Sequence, residues 1–267
     1  MVVGDIELVA LVDATGELGE LAELFPKTTD WNVYEDAYPD LFKGAAFRVP
    51  STCYLLRTAD TTVLVDTGVG PAGLWDWLAE TEEGLPRALG DAGVAPEDID
   101  TVFLTHLHVD HVGWNTDRDG RPFFPDSRYV VHREALAFVR DDGQRPHAAR
   151  TIAPVDFEQI DGETELAPGI TAFPLPGHYP GHMGVRIESG GETALLIADA
   201  AVHPMLLDRP RDVYAFDVDQ VTSAATREAL VSSLVDQDLL LVCGHYPGGG
   251  IGRVVGRDGH VLWTAAA

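Results

Sequence analysis

Cysteine is scarce in this sequence, which has two among its 267 residues, Cys53 and Cys243. Two cysteines cannot supply the several disulfides that hold small secreted domains together. Both lie inside apolar runs typical of strands. We therefore expect buried free thiols in a reducing compartment, with a single disulfide between them as the alternative.

Residues Met1 to Asp5 include no Lys or Arg, and no long apolar stretch follows them. The sequence thus lacks the pattern of a secretory signal. No apolar run approaches the roughly 20 residues that a membrane-spanning helix needs. We expect a cytoplasmic protein with no membrane partner.

Basic residues are few: 18 Lys and Arg stand against 43 Asp and Glu, which gives a formal net charge of −25. Binding to a phosphate backbone depends on Lys and Arg that displace counterions. The composition therefore argues against a nucleic-acid partner and favours a small neutral substrate. A surface kept soluble by surplus carboxylates accounts for most of the negative charge.

Four metal-capable side chains follow the apolar run Val102–Leu104 within six residues: His106, His108, Asp110 and His111. In an extended loop alternate side chains point the same way, so His106 and His108 can reach one metal ion. Asp110 and His111 fall on the next bend and can reach a second ion. A cluster of His and Asp without Cys favours zinc or another divalent first-row metal. A plain solvated loop is the alternative, but burying four polar groups without a partner would be costly.

Three more metal-capable residues lie at or just past the ends of apolar runs, namely His178, Asp199 and His245. Each taken alone fits a cap, a turn or a loop. The repeated placement predicts that they join the same cluster. Since the seven positions span residues 106 to 245, they must converge from most of the chain, and we predict one domain over residues 1–267.

A resemblance to a known family rests on the motif Thr105–Gly113, the run Val63–Gly68, and the later His178, Asp199 and His245. In this order and spacing they resemble the metallo-β-lactamase superfamily, from about residue 50 to the C-terminus. The resemblance implies an α/β fold of the four-layer αββα metallo-β-lactamase sandwich type. The metals would lie at one edge, between the sheets.

The ligands of that family carry over residue by residue and imply two Zn²⁺ ions, with other divalent metals as the alternative. The first ion would be bound by His106, His108 and His178, the second by Asp110, His111 and His245, and Asp199 would bridge them. Asp66 ends the strand before the motif and would accept the free ring N–H of a metal-bound histidine, which fixes the tautomer.

Two segments, Gly177–His182 and Ala198–Pro204, are similar to the branch of N-acyl homoserine lactonases and methyl parathion hydrolase-like enzymes. That branch commonly has a tyrosine three residues after the bridging aspartate, where this chain has Val202. The absence of this tyrosine argues against a tyrosine that acts as the general acid, as in the lactonases, and therefore also against a homoserine lactone substrate.

The activity that the resemblance implies is a dinuclear zinc-dependent hydrolase, in which a metal-bridging hydroxide attacks a small lactone or carboxylic ester. Within the class the alternatives are an organophosphate triesterase and a β-lactam hydrolase. The alternative of another class is an iron-dependent thiol or sulfur dioxygenase.

The leaving group of such a hydrolysis needs a metal or a proton donor. Besides the ligand Asp110, the predicted catalytic residues are Tyr179, His182 and Tyr246, which would protonate the leaving group or support the ligands. His203, next to Val202, is a further candidate for these two roles, with an expected structural role as the alternative, and it is not claimed as catalytic.

Residues 13–50 are irregular and contain scattered aromatics: Phe25, Trp31, Tyr34, Tyr38, Phe42 and Phe47. We expect this segment to be either a lid over the metal site or a peripheral segment whose rings pack on the sandwich. The aromatic residues at 31–47 would serve a pocket or a homodimer interface.

Hydrophobic periodicity predicts the elements around these motifs. They are a hairpin over Cys53–Asp66, a helix over Glu82–Gly93, and an amphipathic helix over Gln220–Val235 with Ala224, Leu230 and Leu234 inward.

Overall fold

The computed structural model describes residues 1–74, 84–141, 150–235 and 237–266. Two β-sheets face each other, and helices cover the outer face of each. The predicted four-layer αββα sandwich is confirmed by this arrangement.

The first sheet has eight strands: β1 Val2–Val3, β2 Ile6–Glu20, β3 Phe42–Lys43, β4 Ala46–Arg57, β5 Thr62–Val65, β6 Thr101–Leu104, β7 Arg128–His132 and β8 Phe157–Ile160. Their order across the sheet is β1-β2-β4-β5-β6-β7-β8, and β3 pairs with β4. Pairing is antiparallel from β1 to β5 and parallel from β5 to β8. The hairpin predicted over Cys53–Asp66 is formed by β4 and β5.

The second sheet has seven strands: β9 Thr164–Ala167, β10 Ile170–Pro174, β11 Met183–Ser189, β12 Glu192–Leu196, β13 Leu240–Val242, β14 Ile251–Arg257 and β15 His260–Ala265. Their order is the reverse of the chain order, β15 to β9. β12 and β13 pair in parallel, and the other neighbours are antiparallel.

The α-helices are α1 Leu21–Leu24, α2 Asn32–Ala37, α3 Gly84–Asp91, α4 Arg133–Asp141, α5 Met205–Asp208 and α6 Gln220–Leu234. Short 3₁₀ helices cover Pro39–Leu41, Pro96–Asp98, Gly113–Asn115, Ala198–Ala201 and Pro247–Gly249. The helix predicted from Glu82 is described from Gly84 onward, because Glu82 lies outside the described residues. Among the described helices, none combines the length and the apolar character needed to cross a membrane.

The alternation of side chains along β4 shows how the layers arise. Cys53 and Leu55 pack beneath the helices of the first sheet, whereas Tyr54 and Leu56 pack against the second sheet. Successive strand residues point to opposite faces, so a strand that is apolar at every position is buried on both sides. Cys53 and Cys243 are both free and buried, as expected.

The inward face of α6 differs from the prediction. Its buried side chains are Ser223, Arg227, Leu230 and Leu234, whereas Ala224 is half-buried. Leu230 and Leu234 are inward as predicted. Arg227 lies on the same face, three residues before Leu230, and brings its guanidinium into the interior, where only small and apolar residues were predicted.

The parallel pairs β5–β6 and β12–β13 end at the same edge of the sandwich. The amide of Asp66, just past β5, donates to the carbonyl of Phe103 in β6 at 2.9 Å. The amide of Ile197, just past β12, donates to the carbonyl of Val242 in β13, also at 2.9 Å. The amide of Met183 in β11 donates to the carbonyl of Thr105 at 3.0 Å and ties the two sheets together there. Loops that leave these strand ends therefore meet above the seam between the sheets.

Candidate metal centre

The structure brings all seven predicted metal-capable side chains together at this edge, in two groups. The first group is His106, His108, His178 and Asp199, and the second is Asp110, His111 and His245. Within each group, the possible ligand atoms lie within 4.8 Å of one another. The first sheet supplies the residues of the 106–111 motif, and the second sheet supplies the other three.

In the first group three imidazole nitrogens converge. Nε2 of His106 lies 3.0 Å from Nδ1 of His108, and Nε2 of His178 lies 3.1 Å from the same atom. Oδ2 of Asp199 lies 3.4 Å from Nε2 of His178 and 3.7 Å from Nε2 of His106. Three nitrogens and one carboxylate oxygen are a donor set that suits tetrahedral zinc.

The other carboxylate oxygen of Asp199 faces the histidines of the second group. Oδ1 lies 3.1 Å from Nε2 of His245 and 3.3 Å from Nε2 of His111. Oδ2 of Asp110 lies 3.6 Å and 3.7 Å from the same two nitrogens. Asp199 therefore presents one carboxylate oxygen to each group, which is the arrangement that a bridging ligand requires.

The second ring nitrogens of the histidines are held by oxygen atoms of the protein. Nδ1 of His111 lies 2.8 Å from Oδ2 of Asp66, the residue predicted to fix a histidine tautomer. Nδ1 of His245 lies 2.7 Å from the carbonyl of Pro50, and Nδ1 of His178 lies 3.0 Å from Oδ1 of Asp217. An N–H that donates to such an oxygen leaves Nε2 deprotonated and directed into the cluster.

Asp66 is itself positioned by its backbone. Its φ of 61° is in the left-handed region, which aspartate tolerates better than most residues. Its Oδ1 accepts from the amide of Thr105 at 2.8 Å. The strand end of β5 is thereby tied to the first residue of the metal motif.

Charge within the cluster moves the pKa values of its members in opposite directions. Burial raises the pKa of Asp199, but His245, His111 and His106 lower it more, so it lies well below the ordinary range. Burial lowers the pKa of His245, but Asp199 and Asp110 raise it to about 9. Burial and the neighbouring His111 hold the pKa of His106 well below its ordinary value.

Two orphaned polar atoms support the fit of a metal. Nε2 of His111 and Oδ1 of Asp199 are buried and form no hydrogen bond among the described residues. Buried polar atoms normally have a partner, and these two atoms lie 3.3 Å from each other within the cluster. A divalent cation would give each of them a partner, so the residues fit the two-ion site that the sequence predicts.

Of the predicted proton donors, Tyr179 lies at the cluster. Its ring centre is 4.8 Å from that of His108 and 5.5 Å from that of His106, and the residue is buried. A tyrosine here walls the first group, as its sequence position beside His178 suggested.

The placement of Tyr246 corrects its predicted catalytic role. Its ring packs on Trp263 at 5.3 Å, within the apolar core beneath the helices of the second sheet. Neighbouring side chains leave the backbone in different directions. Tyr246 therefore points away from the cluster although it directly follows His245.

The contacts of His182 agree with the second of its predicted roles, support of the ligands, and not with proton donation. Nδ1 lies 2.8 Å from the carbonyl of Leu175, and Nε2 accepts from the amide of Asp199 at 3.1 Å. Burial, reinforced by His178, lowers its pKa to about 3. His182 is a neutral residue with both nitrogens in use, and it holds the backbone of Asp199.

His203 is structural, as expected, and it organises the aromatic segment. The ring centres of Phe25, Trp31, Tyr34, Tyr38, Phe42 and Phe47 lie 5.2–6.3 Å from its own. Its Nδ1 accepts from the amide of Met205 at 3.0 Å, and burial lowers its pKa to about 3. The rings between residues 25 and 47 thus pack on the sandwich. The homodimer interface stays a prediction.

Another part of residues 13–50 does reach the metal centre. A largely apolar cavity beside Asp110 is lined by residues 14–18 of β2, residues 49–51 of β4, Val69 and Val109. These strand segments form its outer wall. The position of the cavity, next to the second group, suits the apolar part of a small substrate.

The sequence analysis missed three side chains around His178. The ring of Tyr214 stacks on that of His178 with centres 5.9 Å apart. Burial raises the pKa of Tyr214 well above its ordinary value, and the charges of Asp199 and Asp110 add to this effect. Asp217 and Arg227 form an ion pair behind the same histidine. None of the three belongs to a spaced motif, although an arginine within the apolar periodicity of α6 was a usable signal.

The family model described as "Metallo-beta-lactamase superfamily" matches residues 46–261. N-acyl homoserine lactonase AiiB of Agrobacterium fabrum is 30% identical over 180 residues, which are 57% of this chain and 63% of that protein. An N-acyl homoserine lactonase of a Bacillus species is 28% identical over 203 residues, 70% of this chain and 78% of that protein. The chain therefore spans less than two thirds of the length of the first of these relatives.

Two solved structures share the fold over the whole chain. AidC, described as a dizinc quorum-quenching lactonase in complex with a product, has a TM-score of 0.84 at 22% identity, covering 100% of this chain and 96% of that one. The hydrolase AbOPH, described as belonging to the beta lactamase superfamily, has a TM-score of 0.83 at 23% identity with the same coverage. At these identities the likeness concerns the fold alone.

Proposed function

Since the chain belongs to the metallo-β-lactamase superfamily, we propose that it is a dinuclear zinc-dependent hydrolase that cleaves a small lactone or carboxylic ester. The observation that carries the proposal is the carboxylate of Asp199, with Oδ1 facing one histidine group and Oδ2 facing the other. A site for one ion would need no ligand placed between two groups.

In this proposal His106, His108 and His178 hold the first ion, Asp110, His111 and His245 hold the second, and Asp199 bridges them. When bound, two divalent ions would supply a hydroxide near neutral pH and polarise the carbonyl oxygen of the substrate. The two carboxylates among the ligands offset much of the charge of the ions, so the centre keeps a small positive excess that attracts an electron-rich carbonyl.

The protein's own residues orient the substrate. The cavity beside Asp110 is mostly apolar and takes the hydrocarbon part of the substrate, which leaves the carbonyl toward the two groups. The low count of basic residues, 18 in the chain, disfavours phosphate monoesters. A neutral lactone or ester fits both features.

Release of the alkoxide needs a proton. Tyr179, against His106 and His108, is the predicted donor whose position supports this role. Tyr214 lies on the opposite side, stacked on His178, and is the second candidate. With Val202 at the position where the family's lactonases commonly have a tyrosine, a proton donor would come from another part of the chain, and the alternative is an alkoxide stabilised by a metal ion.

The test combines metal analysis with a substrate panel. We expect about two zinc ions per chain by inductively coupled plasma spectrometry and turnover of lactones or p-nitrophenyl esters that is lost on chelation and regained with zinc. Faster turnover of organophosphate triesters or β-lactams would replace the substrate assignment. A protein that contains iron and oxidises thiols would be a dioxygenase, and the hydrolase proposal would be wrong.

A further inference from the structure

A buried ion pair stands directly behind one proposed metal ligand. The side chain of Asp217 is 0% exposed and that of Arg227 is 1% exposed. Asp217 lies in the loop before α6, and Arg227 lies on the inward face of that helix. Neither residue belongs to the two groups of possible metal ligands.

The contacts of the pair lead in one direction, to His178. Oδ1 of Asp217 lies 3.0 Å from Nδ1 of His178, and Oδ2 accepts from Nη1 of Arg227 at 2.7 Å. Each carboxylate oxygen thus has one dedicated partner. Because an ionised carboxylate only accepts hydrogen bonds, His178 must carry its proton on Nδ1. Its Nε2 is then the free lone pair, and this is the atom that faces Asp199 and His108.

Arg227 is fixed on all sides by the protein. Its Nε donates to the carbonyl of Pro210 at 2.9 Å, and its Nη2 donates to the carbonyl of Asp212 at 3.0 Å. A planar guanidinium bound through three nitrogens cannot rotate without breaking several bonds. It therefore holds Oδ2 of Asp217 in a fixed position.

The backbone around the pair locks the same geometry. The amide of Val218 donates to the carbonyl of His178 at 3.1 Å, and the amide of Asp219 donates to the carbonyl of Gly177 at 2.9 Å. Gly177 has a φ of 125°, and a Cβ there would lie 2.3 Å from the amide nitrogen of Ser223 in α6. Only glycine allows the ligand loop to approach the helix so closely.

Stability alone is a weak reason for this pair, because the desolvation of two buried charges often exceeds their mutual attraction. A comparison within the site points to another role. Asp66, which holds His111, is supported by neutral donors of Thr105, whereas Asp217 is supported by a cation. The helix α6 thereby acts on the metal centre through a charged contact.

We propose that Asp217 and Arg227 are positioning residues that hold His178 in the tautomer and orientation needed to bind a metal ion through Nε2. The inference rests on the proposed function, since it takes His178 as a ligand. It adds a role for α6 that the motif residues do not contain.

The first test measures zinc binding to the full chain by competition with a chromophoric chelator. In D217N the amide has a single acceptor oxygen, which cannot serve both Arg227 and His178. R227K keeps the positive charge but loses the planar guanidinium that donates through three nitrogens. We expect either change to lower the affinity for one of the two zinc ions by about 10- to 100-fold, the usual range for residues that hydrogen-bond to a metal ligand.

A matched control is R128K. Arg128 also donates through Nε and Nη2, to Thr101 and to the carbonyl of Leu166, but it lies away from the centre. It should leave both zinc affinities unchanged. Equal zinc binding in D217N, R227K and R128K would overturn the inference.

The second test asks whether the pair acts through His178. On an H178A background, D217N should cause no further loss of zinc affinity, and an additive loss would overturn the inference. If H178A itself leaves zinc binding unchanged, both the proposed ligand set and this inference are wrong. If H178A weakens binding and D217N does not, the inference alone fails.

The third test needs no variant that might be misfolded. In the zinc-loaded wild-type protein, nitrogen-15 spectra of the histidine side chains should show the His178 proton on Nδ1, exchanging slowly with solvent. A proton on Nε2 would contradict the proposal. If D217N does not fold, zinc binding to R227K and the nitrogen-15 spectrum of the wild-type protein test the inference.

Discussion

His203 and His245 are both buried histidines, but their surroundings have nothing in common. Six aromatic rings surround His203, no carboxylate of the described residues shifts its pKa, and burial lowers that pKa to about 3. Asp199 and Asp110 face His245, and they raise its pKa to about 9 against the effect of burial. Burial alone therefore keeps an imidazole neutral and structural. Carboxylates placed next to it turn the same side chain into part of a cation site.

The sharpest way to break this comparison is to remove the charge that distinguishes the two environments. D199N leaves the shape of the cluster and takes away the carboxylate shared by both groups. We expect zinc affinity to fall at both groups and hydrolysis to drop by on the order of 10³-fold, which corresponds to about 4 kcal/mol of lost charge stabilisation. Metal analysis after dialysis and initial rates measure the two effects.

A control for D199N is D208N. Asp208 accepts from the ring of His260 and the amide of Val261, at the outer side of the second sheet. Its loss should lower stability and leave two zinc ions bound. If D199N retained both ions, the bridging role would be wrong.

The next largest effect is expected in the aromatic cluster. H203A leaves a cavity among the surrounding rings and should lower the free energy of unfolding by about 2–5 kcal/mol. For a chain of this size each kcal/mol lowers the melting temperature by roughly 2–4 °C. Zinc affinity should stay at the wild-type value.

H245A is the matched change at the metal centre. It should weaken zinc binding strongly and alter the melting temperature of the metal-free protein little. A loss of zinc affinity in H203A equal to that in H245A would show that the two regions are not independent.

The pH dependence sharpens the contrast further. His203 has a folded pKa of about 3, below the ordinary value of 6.5, so the unfolded chain binds the extra proton between these values. The resulting stability is present above pH 6.5 and is lost as pH falls, by about 1.4 kcal/mol for each pH unit. H203F lacks this titration. In denaturant unfolding at pH 7, 6 and 5, the free energy of unfolding of H203F should rise relative to that of the wild type as pH falls. A constant difference would contradict the assigned direction of the pKa shift.

The smallest effect concerns the two tyrosines that directly follow ligand histidines. The hydroxyl of Tyr246 has no hydrogen-bond partner among the described residues and lies in the apolar core. Y246F should leave activity unchanged and alter stability by no more than about 1 kcal/mol. Y179F, at the cluster, should lower the turnover number more than Y246F does. Equal activity of the two variants would remove Tyr179 from the proton-transfer step.

The parts of the centre that could be predicted from the sequence are those with local spacing. The 106–111 motif follows a strand directly, and Asp199 and His245 follow parallel strands that end at the same edge. A residue that directly follows a parallel strand lies at the edge of the sheet where that strand ends, so its position in the sequence predicts its location. The sandwich follows from the same alternation of buried strands.

Side chains whose direction depends on packing could not be predicted. Tyr246 follows a ligand in sequence and points to the opposite side of the sheet. Arg227 lies on the inward face of α6, as helical spacing from Leu230 and Leu234 indicates, but its partner Asp217 lies in an irregular loop. No spacing rule identifies the loop residue that a buried arginine meets.

The division of the seven side chains between the sheets has a mechanical consequence. Four come from the first half of the chain and three from the second, so a bound pair of ions would crosslink the halves across their seam. Separating the sheets would then require breaking coordination bonds as well as exposing apolar surface. We expect the zinc-loaded protein to unfold and to be cleaved by proteases more slowly than the stripped protein, with the two sheets giving way together.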